Sequence, residues 1–435
     1  MSEIVEVLGR EVLDSRGEPT VEVEVYLASG VMGRAVVPSG KTTGRREVRE
    51  LRDGDPARFR GRGVLNAVRN VNERIAPELI GLDVRDQRAI DRILTNLDGS
   101  EMRETIGGNA LLGASLAVAH AAAESQGIGL FEYLGGKLAR RLPVPLVNVI
   151  NGGGHAANNL DFQEFMLVPT GFDAFSEALR ATCEVFGRLR EKLQELGAST
   201  AYGDEGGFAP SLACNEQALE LLQEAIRKAG YEVHNHFGLG LDIAANHLFD
   251  RRSERYRLRI QSDRDAAPSA VELTTAELVK YYEGLVTRFP SIVSIEDPFH
   301  EDDWDGFSAL TAAVGHRVQI VGDDLFVSQT RYLERGIKAH SANAILVKPN
   351  QVGTLSETLD TIAMAQRAGM GTIISHRSGD TEDTTIADLA VAVGAGQIKT
   401  GSVTRSERCA KYNRLLRIES QLVDPVYQPP FARGS

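Results

Sequence analysis

The N-terminal part of the chain alternates apolar and polar residues with a period of two. The alternation runs through residues 4–13 (IVEVLGREVL), 19–30 (PTVEVEVYLASG) and 31–38 (VMGRAVVP), and glycine-containing turns separate the three runs. Such alternation is typical of strands with one buried face, and short turns favour antiparallel pairing. The sequence therefore predicts a three-stranded antiparallel meander.

Helical spacing of apolar residues replaces this alternation in the next part of the chain. Three segments show it: 64–80, 84–97 and 109–125. Strands followed by helices are typical of an α+β domain. The stretch LARRLPVPLVNVI that follows contains two adjacent arginines and two prolines, which favour a boundary between domains. We therefore predict an N-terminal α+β domain over residues 1–136 and a second domain over residues 143–435.

In the second domain, short apolar runs alternate with helical patterns such as TTAELVKYYEGLVTRFP. About eight strands in such a rhythm are typical of a (β/α)8 barrel. The first two runs have no helical pattern between them, which is unusual for this fold. The predicted strands are the runs at 146–150, 163–169, 238–244, 291–298, 318–324, 344–350, 371–376 and 397–400.

The composition restricts the partners and the compartment that we expect. The 435 residues carry a formal net charge of −12, which argues against a nucleic-acid-binding surface. Three cysteines, none of them in a CxxC pair, indicate a reducing compartment. The N-terminal MSEIVEVLGREVLDSRG lacks the apolar core of a signal peptide, and the apolar run at 110–123 is too short to span a bilayer. We therefore expect a cytoplasmic protein without a membrane span, in which residues 110–123 form a buried helix.

Six of the eight predicted strands end at an ionisable residue. In (β/α)8 barrels the chemistry takes place at the C-terminal ends of the strands, where side chains share one bowl. Solvation explains a single charged strand end well. A shared site explains six in succession better, since strand ends more often carry turn residues. The six residues are Asp242, Glu296, Asp323, Lys348, His376 and Lys399.

Three acids that converge in one bowl would repel each other and would need a cation between them. Oxygen ligands favour a hard divalent ion, so we expect Mg²⁺ at Asp242, Glu296 and Asp323. A lysine beside a divalent cation has a disfavoured ammonium form, which makes Lys348 and Lys399 candidate bases. A metal ion with a lysine base suits removal of a proton next to a carboxylate.

Three loops contribute further candidates, and each also has a plainer explanation. GDEGG places Asp204 and Glu205 between glycines, either as a general acid with a raised pKa or as an ordinary acidic turn. NGGGHAANN carries His155, either on a lid with a titratable group or in a solvated loop. HRSG presents Arg377 and Ser378, which together form a weak local signal for phosphate binding.

In order and spacing, over nearly the whole chain, these motifs resemble those of the enolase family. The matching stretches are LDSRGEPTVEVEV, VPSG, INGG, QEFM, GDEGGFAP, SIEDPF, GDDL, KPNQVGTLSET, SHRSGDTEDT, GQIKTG and RSER. The resemblance implies a ββαα(βα)6 barrel with an N-terminal α+β domain, which would explain the missing first helix. It also implies two Mg²⁺ ions per active site, reversible dehydration of 2-phosphoglycerate to phosphoenolpyruvate, and a homodimer or an octamer. A lysine base with Mg²⁺ is the known arrangement in this superfamily.

The resemblance also implies roles for individual residues. The three acids named above become the ligands of the first metal ion. Lys348 becomes the base and Glu205 the acid, with Glu164 assisting the acid and His155 on a closing loop. The substrate would be a small phosphorylated three-carbon acid. The residues expected to contact it are His155, Gln163, Glu164, Lys348, His376, Arg377, Ser378 and Lys399.

One glycine- and hydroxyl-rich loop, VVPSGKTTGRRE at 36–47, departs from the family pattern, because it contains SGKTTG where the family has SGASTG. Thr42 replaces the serine whose oxygens bind the second Mg²⁺, and it keeps a hydroxyl and a carbonyl for that purpose. Lys41 adds a positive charge that favours a substrate with a second anionic group, and we count it among the candidate substrate contacts. Asn246 and His247 also depart from the family, which usually has a Ser-Glu pair there.

Three functions stay open at this point. The first is a glycolytic enolase with altered loops. The second is an enolase-derived enzyme for a related phosphoenolpyruvate-type substrate, such as carboxyphosphonoenolpyruvate synthase of phosphinate biosynthesis. The third is a scaffold or binding protein without activity. Retention of the six strand-end residues and Glu205 argues against the third.

Overall fold

The computed structural model describes residues 2–41, 44–260 and 269–429. It begins with the predicted antiparallel meander, which is confirmed. Valines of its central strand are fully buried, as the period-two pattern requires. The strands are β1 (Ile4–Leu13), β2 (Pro19–Leu27) and β3 (Met32–Val36).

The predicted helices follow the meander. The first predicted segment forms two short helices joined by a π-helical turn, Val71–Ile75. The amphipathic pattern of the second segment buries Ile90 and Leu94 on one face. The helices of this part are α1 (Leu65–Asn70), α2 (Ala76–Leu79), α3 (Gln87–Asp98), α4 (Gly108–Ser125) and α5 (Leu130–Gly135).

Helix α4 is the predicted buried helix, and it packs against the meander. Gly33 of β3 allows this contact, because a Cβ atom there would lie 2.1 Å from the backbone nitrogen of Ala121. On its other side α4 reaches the second domain, where His120 Nε2 and Thr385 Oγ1 are 2.7 Å apart. No helix among the described residues is long and apolar enough to cross a membrane.

Eight strands of the second domain close into a barrel. Its first strand pairs antiparallel with its second, and the second pairs antiparallel with the third, whereas the other neighbours are parallel. The first two strands are joined by a loop, which accounts for the missing helix and confirms the ββαα(βα)6 prediction. After the short strand β4 (Arg141–Leu142), the barrel strands are β5 (Val144–Asn151), β6 (Glu164–Pro169), β7 (Phe237–Asp242), β11 (Ile292–Glu296), β12 (Gln319–Gly322), β13 (Ala344–Val347), β14 (Gly371–Ser375) and β15 (Gly396–Lys399).

Helices surround the barrel, and a small sheet interrupts the order after β7. That sheet is antiparallel and consists of β8 (Phe249–Asp250), β9 (Arg255–Ile260) and β10 (Ser269–Leu273), which our sequence analysis did not predict. A last short strand, β16 (Val426–Tyr427), pairs with β4. The helices are α6 (Phe175–Glu195), α7 (Asn215–Lys228), α8 (Thr275–Arg288), α9 (Trp304–Val314), α10 (Thr330–Ala339), α11 (Leu355–Arg367), α12 (Thr385–Ala392) and α13 (Ser406–Gln421).

We predict that Gly33→Ala destabilises the protein by about 1–3 kcal/mol, because the new methyl group must push the backbone of α4 away from the sheet. The matched control is Gly187→Ala in α6, where a Cβ atom meets nothing within 4 Å. This control should gain about 0.5–1 kcal/mol, since alanine favours a helix. Denaturant unfolding of both variants measures the difference. Equal stability of the two variants would contradict the close contact between β3 and α4.

Candidate active site

The barrel strands bring the six predicted strand-end residues to one pocket. Five of them line it directly, and Glu296 lies behind Lys399, which contacts it. All six are largely buried, and Lys348 is the most accessible, with 14% of its side chain exposed. The predicted loops complete the wall with His155, Glu205, Arg377 and Ser378, and Gln163 and Glu164 join it where β6 begins.

Lys399 lies in the middle of a group of carboxylates. Its Nζ is 2.8 Å from Asp242 Oδ2, 2.9 Å from Glu296 Oε1 and 3.2 Å from Glu164 Oε1. Burial disfavours the ammonium form of Lys399, but these three carboxylates outweigh burial and raise its pKa well above the ordinary value. Lys399 is therefore an ammonium ion that holds three acids together.

Lys348 has a similar role on the other side of the pocket. It forms a salt bridge with Asp323, whose second oxygen accepts a hydrogen bond of 3.3 Å from Gln351. Burial again opposes the charge, but Asp323 outweighs it and the pKa of Lys348 is raised. The disfavoured ammonium forms were expected beside a bound divalent cation and stay a prediction. In the protein groups alone, each lysine lies against carboxylates that favour its ammonium form.

A second group of acids lies at the ends of β11 and β12. Oxygens of Asp297, Asp323 and Asp324 lie within 4.8 Å of one another. Asp297 accepts backbone hydrogen bonds from Asp323 (2.9 Å) and Asp324 (2.8 Å), which orients both residues. Burial and the neighbouring acids raise the pKa of Asp297 well above its ordinary value and that of Asp324 to about 7. Negative charge is thus in excess here.

This surplus of oxygen donors fits a hard divalent cation. Glu164 Oε2 and Gln163 Oε1 are buried and have no hydrogen-bond partner among the described residues. The Gln163 amide donates a 3.2 Å hydrogen bond to Asp242 Oδ2, so its free oxygen lies close to a predicted ligand. The three predicted ligands are at present shared between Lys399 and Lys348. Thr42, predicted for the second ion, lies outside the described residues.

Glu164 and Glu205 form a carboxyl pair beside His155. Nδ1 of His155 is 3.6 Å from Glu164 Oε1 and 3.7 Å from Glu205 Oε1, and the three side chains are buried. Burial and the neighbouring Glu205 raise the pKa of Glu164 well above its ordinary value. Burial also lowers the pKa of His155. The pair therefore holds a proton more readily on Glu164 than on Glu205.

The raised pKa expected for Glu205 is wrong. Burial favours the neutral form, but the neighbouring His376, His155 and Arg408 outweigh it and lower the pKa of Glu205 well below its ordinary value. Asn148 also donates a 3.1 Å hydrogen bond to Glu205 Oε2, which favours the carboxylate. Local sequence around GDEGG could not show these partners, because they come from other strands and loops.

Arg377 and Ser378, the predicted phosphate contacts, are buried at the pocket wall and already have protein partners. The guanidinium of Arg377 donates hydrogen bonds of 2.8 and 3.3 Å to the two oxygens of Glu47. Ser378 Oγ accepts a 2.8 Å hydrogen bond from the backbone N–H of Lys41. A phosphate at this wall would therefore share its contacts with residues of the N-terminal domain.

Lys41 lies beside the pocket, against the loops that carry His155 and Glu205. Its Nζ donates to Asp204 Oδ2 at 2.7 Å and to the carbonyl oxygen of Gly154 at 3.0 Å. The side chains of Lys41 and Asp204 are 46% and 34% exposed. The ammonium thus joins the three loops that carry Ser39, His155 and Glu205, and its charge already has an anionic partner.

Sequence reasoning missed several residues of the site. Asp297 and Asp324 directly follow two predicted ligands, and this adjacency was the signal that could have found them. Asn246 donates a 2.8 Å hydrogen bond to Asp324 Oδ2 and accepts one of 2.9 Å from the backbone of Glu301. Arg408, in the RSER motif, is fully buried against His376.

The comparison with known families agrees with this geometry. Residues 4–134 match the model described as the enolase N-terminal domain. Residues 139–429 match the model described as the C-terminal TIM barrel domain of enolase. The two matches together cover most of the chain, and the closed eight-stranded barrel has the strand order that the motifs implied. The chain therefore belongs to the enolase family.

Proposed function

We propose that this protein is a Mg²⁺-dependent lyase that converts 2-phosphoglycerate reversibly to phosphoenolpyruvate. The observation that carries the proposal is the placement of a lysine, Lys348, and a carboxyl pair, Glu164 and Glu205, in the walls of one pocket that is rich in acids. A base and an acid on the same pocket suit loss of water from adjacent carbons.

The residues divide the reaction between them. Lys348 takes the proton next to the substrate carboxylate. The carboxyl pair gives a proton to the departing hydroxide: Glu164, the member that holds a proton more readily, supplies it through Glu205. Arg377 and Ser378 bind the phosphate, and Lys399 contacts the carboxylate. Asp242, Glu296 and Asp323 would hold Mg²⁺, and the bound ion would stabilise the negative charge that develops on the substrate.

The salt bridge between Lys348 and Asp323 bears on the role of Lys348 as the base. In the protein alone, Asp323 stabilises the ammonium form, so Lys348 is not yet a base. Asp323 would also hold the cation, and a cation there would disfavour the ammonium form of Lys348 and favour its role as the base.

A second candidate is an enolase-derived enzyme whose substrate carries an additional phosphonate or carboxylate. The specific observation in its favour is the ammonium of Lys41 beside the pocket, against the loops that carry His155 and Glu205. That ammonium already has Asp204 as its partner, so an added anionic group would have to displace this carboxylate. This competition favours the first candidate.

For the metal, we predict that Asp323→Asn loses turnover and loses stabilisation by Mg²⁺. In the native protein, Mg²⁺ at one hundred times its Kd should add about 2.7 kcal/mol to the free energy of unfolding. Asp360→Asn is the control, because Asp360 is an exposed acid paired with Arg88 far from the pocket. Thermal unfolding with and without Mg²⁺ gives the comparison. Unchanged Mg²⁺ stabilisation in Asp323→Asn would remove Asp323 from the metal site.

For the base and the acid, we predict that Lys348→Ala stops exchange of the substrate α-proton with deuterium from the solvent. Glu205→Gln should still allow exchange while it blocks loss of hydroxide, because the two steps use different residues. NMR of 2-phosphoglycerate in D₂O measures the exchange, and Lys338→Ala, an exposed lysine paired with Glu334, serves as the control. Equal loss of exchange in both site variants would contradict the division of roles.

For Lys41, we predict a change in kcat/KM of less than about fivefold in Lys41→Ala, since a half-exposed ion pair contributes about 0–1 kcal/mol. The assay is 2-phosphoglycerate turnover, followed by the ultraviolet absorbance of the enol product. If Lys41 instead binds a second anion of the substrate, its loss costs about 1.5–3 kcal/mol with that substrate. Negligible turnover of 2-phosphoglycerate by the native protein would favour the second candidate.

A further inference from the structure

Arg408 lies behind the active site, on the first turn of α13, and none of its surface is exposed. One terminal nitrogen, NH1, is 2.6 Å from Nδ1 of His376 and 2.6 Å from the carbonyl oxygen of Arg377. The other, NH2, donates to the carbonyl oxygens of Ser378 (2.6 Å) and Asp204 (3.4 Å). The guanidinium is thus fixed by four contacts.

In the hydrogen bond between Arg408 and the imidazole, only Arg408 can be the donor. A guanidinium carries donors and no acceptor, and it keeps its charge at every pH at which proteins are folded. Nδ1 of His376 must therefore offer its lone pair to Arg408 and cannot carry a proton. A neutral imidazole then has its proton on the other nitrogen, Nε2.

That second nitrogen faces the acid of the site. Nε2 of His376 is 3.3 Å from Glu205 Oε2, which also accepts a hydrogen bond of 3.1 Å from Asn148. Oε2 of Glu205 therefore has two donors. Oε1 of Glu205 lies on the other side, 3.7 Å from His155 Nδ1, and it is the oxygen left free to exchange a proton.

The charges around His376 agree with a neutral ring. Burial lowers the pKa of His376 to about 4, against the opposing influence of Glu205. The other charged groups that face it are Arg408 and Asp380, and Asp380 is itself paired with Lys411 at 2.6 Å. A second proton, on Nδ1, would place an imidazolium directly against the guanidinium.

We propose that Arg408 is a positioning residue that fixes His376 as a neutral, Nε2-protonated donor, so that Glu205 presents Oε1 to the substrate. The effect on turnover rests on the proposed role of Glu205 in dehydration. The protonation of the ring does not depend on that role, and it can be measured in protein that turns nothing over.

The decisive measurement is the ¹⁵N spectrum of the histidine rings. Magic-angle-spinning NMR distinguishes the two neutral tautomers from the imidazolium, and His376→Gln identifies the signal among the nine histidines. In the native protein we expect the Nε2-protonated neutral form at every pH from about 5 to 8.5. An Nδ1-protonated ring, or an imidazolium within this range, would overturn the proposal. This result requires no variant of Arg408.

Arg408→Gln tests whether Arg408 determines the tautomer of His376. Its amide can present an oxygen to Nδ1, so we expect an Nδ1-protonated population and an imidazolium that forms on acidification. For turnover, we expect kcat to fall by about 10- to 100-fold with KM changed less than about threefold, and a new loss of activity on the acid side of the pH profile. An unchanged tautomer in this variant would overturn the proposal.

Arg414→Gln is the matched control, because it makes the same change on the same helix. Arg414 pairs with Asp388 at 2.6 Å and does not touch the imidazole. We expect its His376 signal and pH profile to be native. If Arg414→Gln changes the tautomer as much as Arg408→Gln does, disturbance of α13 explains the result and the proposal fails. A native protein with the expected tautomer but no turnover of 2-phosphoglycerate would leave this inference standing and defeat the proposed function.

Discussion

Burial of like charges at the mouth of the barrel is the constraint on which the rest of the site depends. Two carboxylates 4 Å apart repel each other by about 4 kcal/mol at an effective dielectric constant of 20. Lys399 offsets the repulsion among Asp242, Glu296 and Glu164, and Lys348 offsets the charge of Asp323. The group around Asp324 keeps a surplus, which appears as raised pKa values.

The N-terminal domain takes part in this balance of charge. Glu47 pairs with Arg377 of the barrel, and Lys41 pairs with Asp204. Backbone hydrogen bonds between Ser39 and Gly379, of 2.7 and 2.9 Å, fix the same loop against the barrel. Residues that bind phosphate in our proposal are thus held by the first domain before a substrate arrives, so the two domains form one site.

The barrel and the six strand-end residues of the pocket were predictable from residue patterns, because period-two runs, helical spacing and charged strand ends are local signals. Gln163 and Glu164 came only from the resemblance to the enolase family. Protonation was not predictable, because it depends on distant partners: Asp242 and Lys399 are 157 residues apart in the chain. The lowered pKa of Glu205 depends on His376 and Arg408 in the same way. The small sheet of β8, β9 and β10 was missed, because we predicted no strand in the stretch of the sequence that contains it.

The central claim is that the surplus of buried carboxylates is compensated by a divalent cation. Calorimetric titration with Mg²⁺ at about pH 6.5, in two buffers of different ionisation enthalpy, tests it most directly. Burial and the neighbouring acids raise the pKa of the Asp324 carboxyl to about 7, so a cation bound beside it at Asp323 should favour its ionisation and release protons at this pH. The account predicts a binding heat that differs between the buffers in proportion to the protons released. A binding heat that is equal in both buffers, or the absence of Mg²⁺ binding, would contradict it.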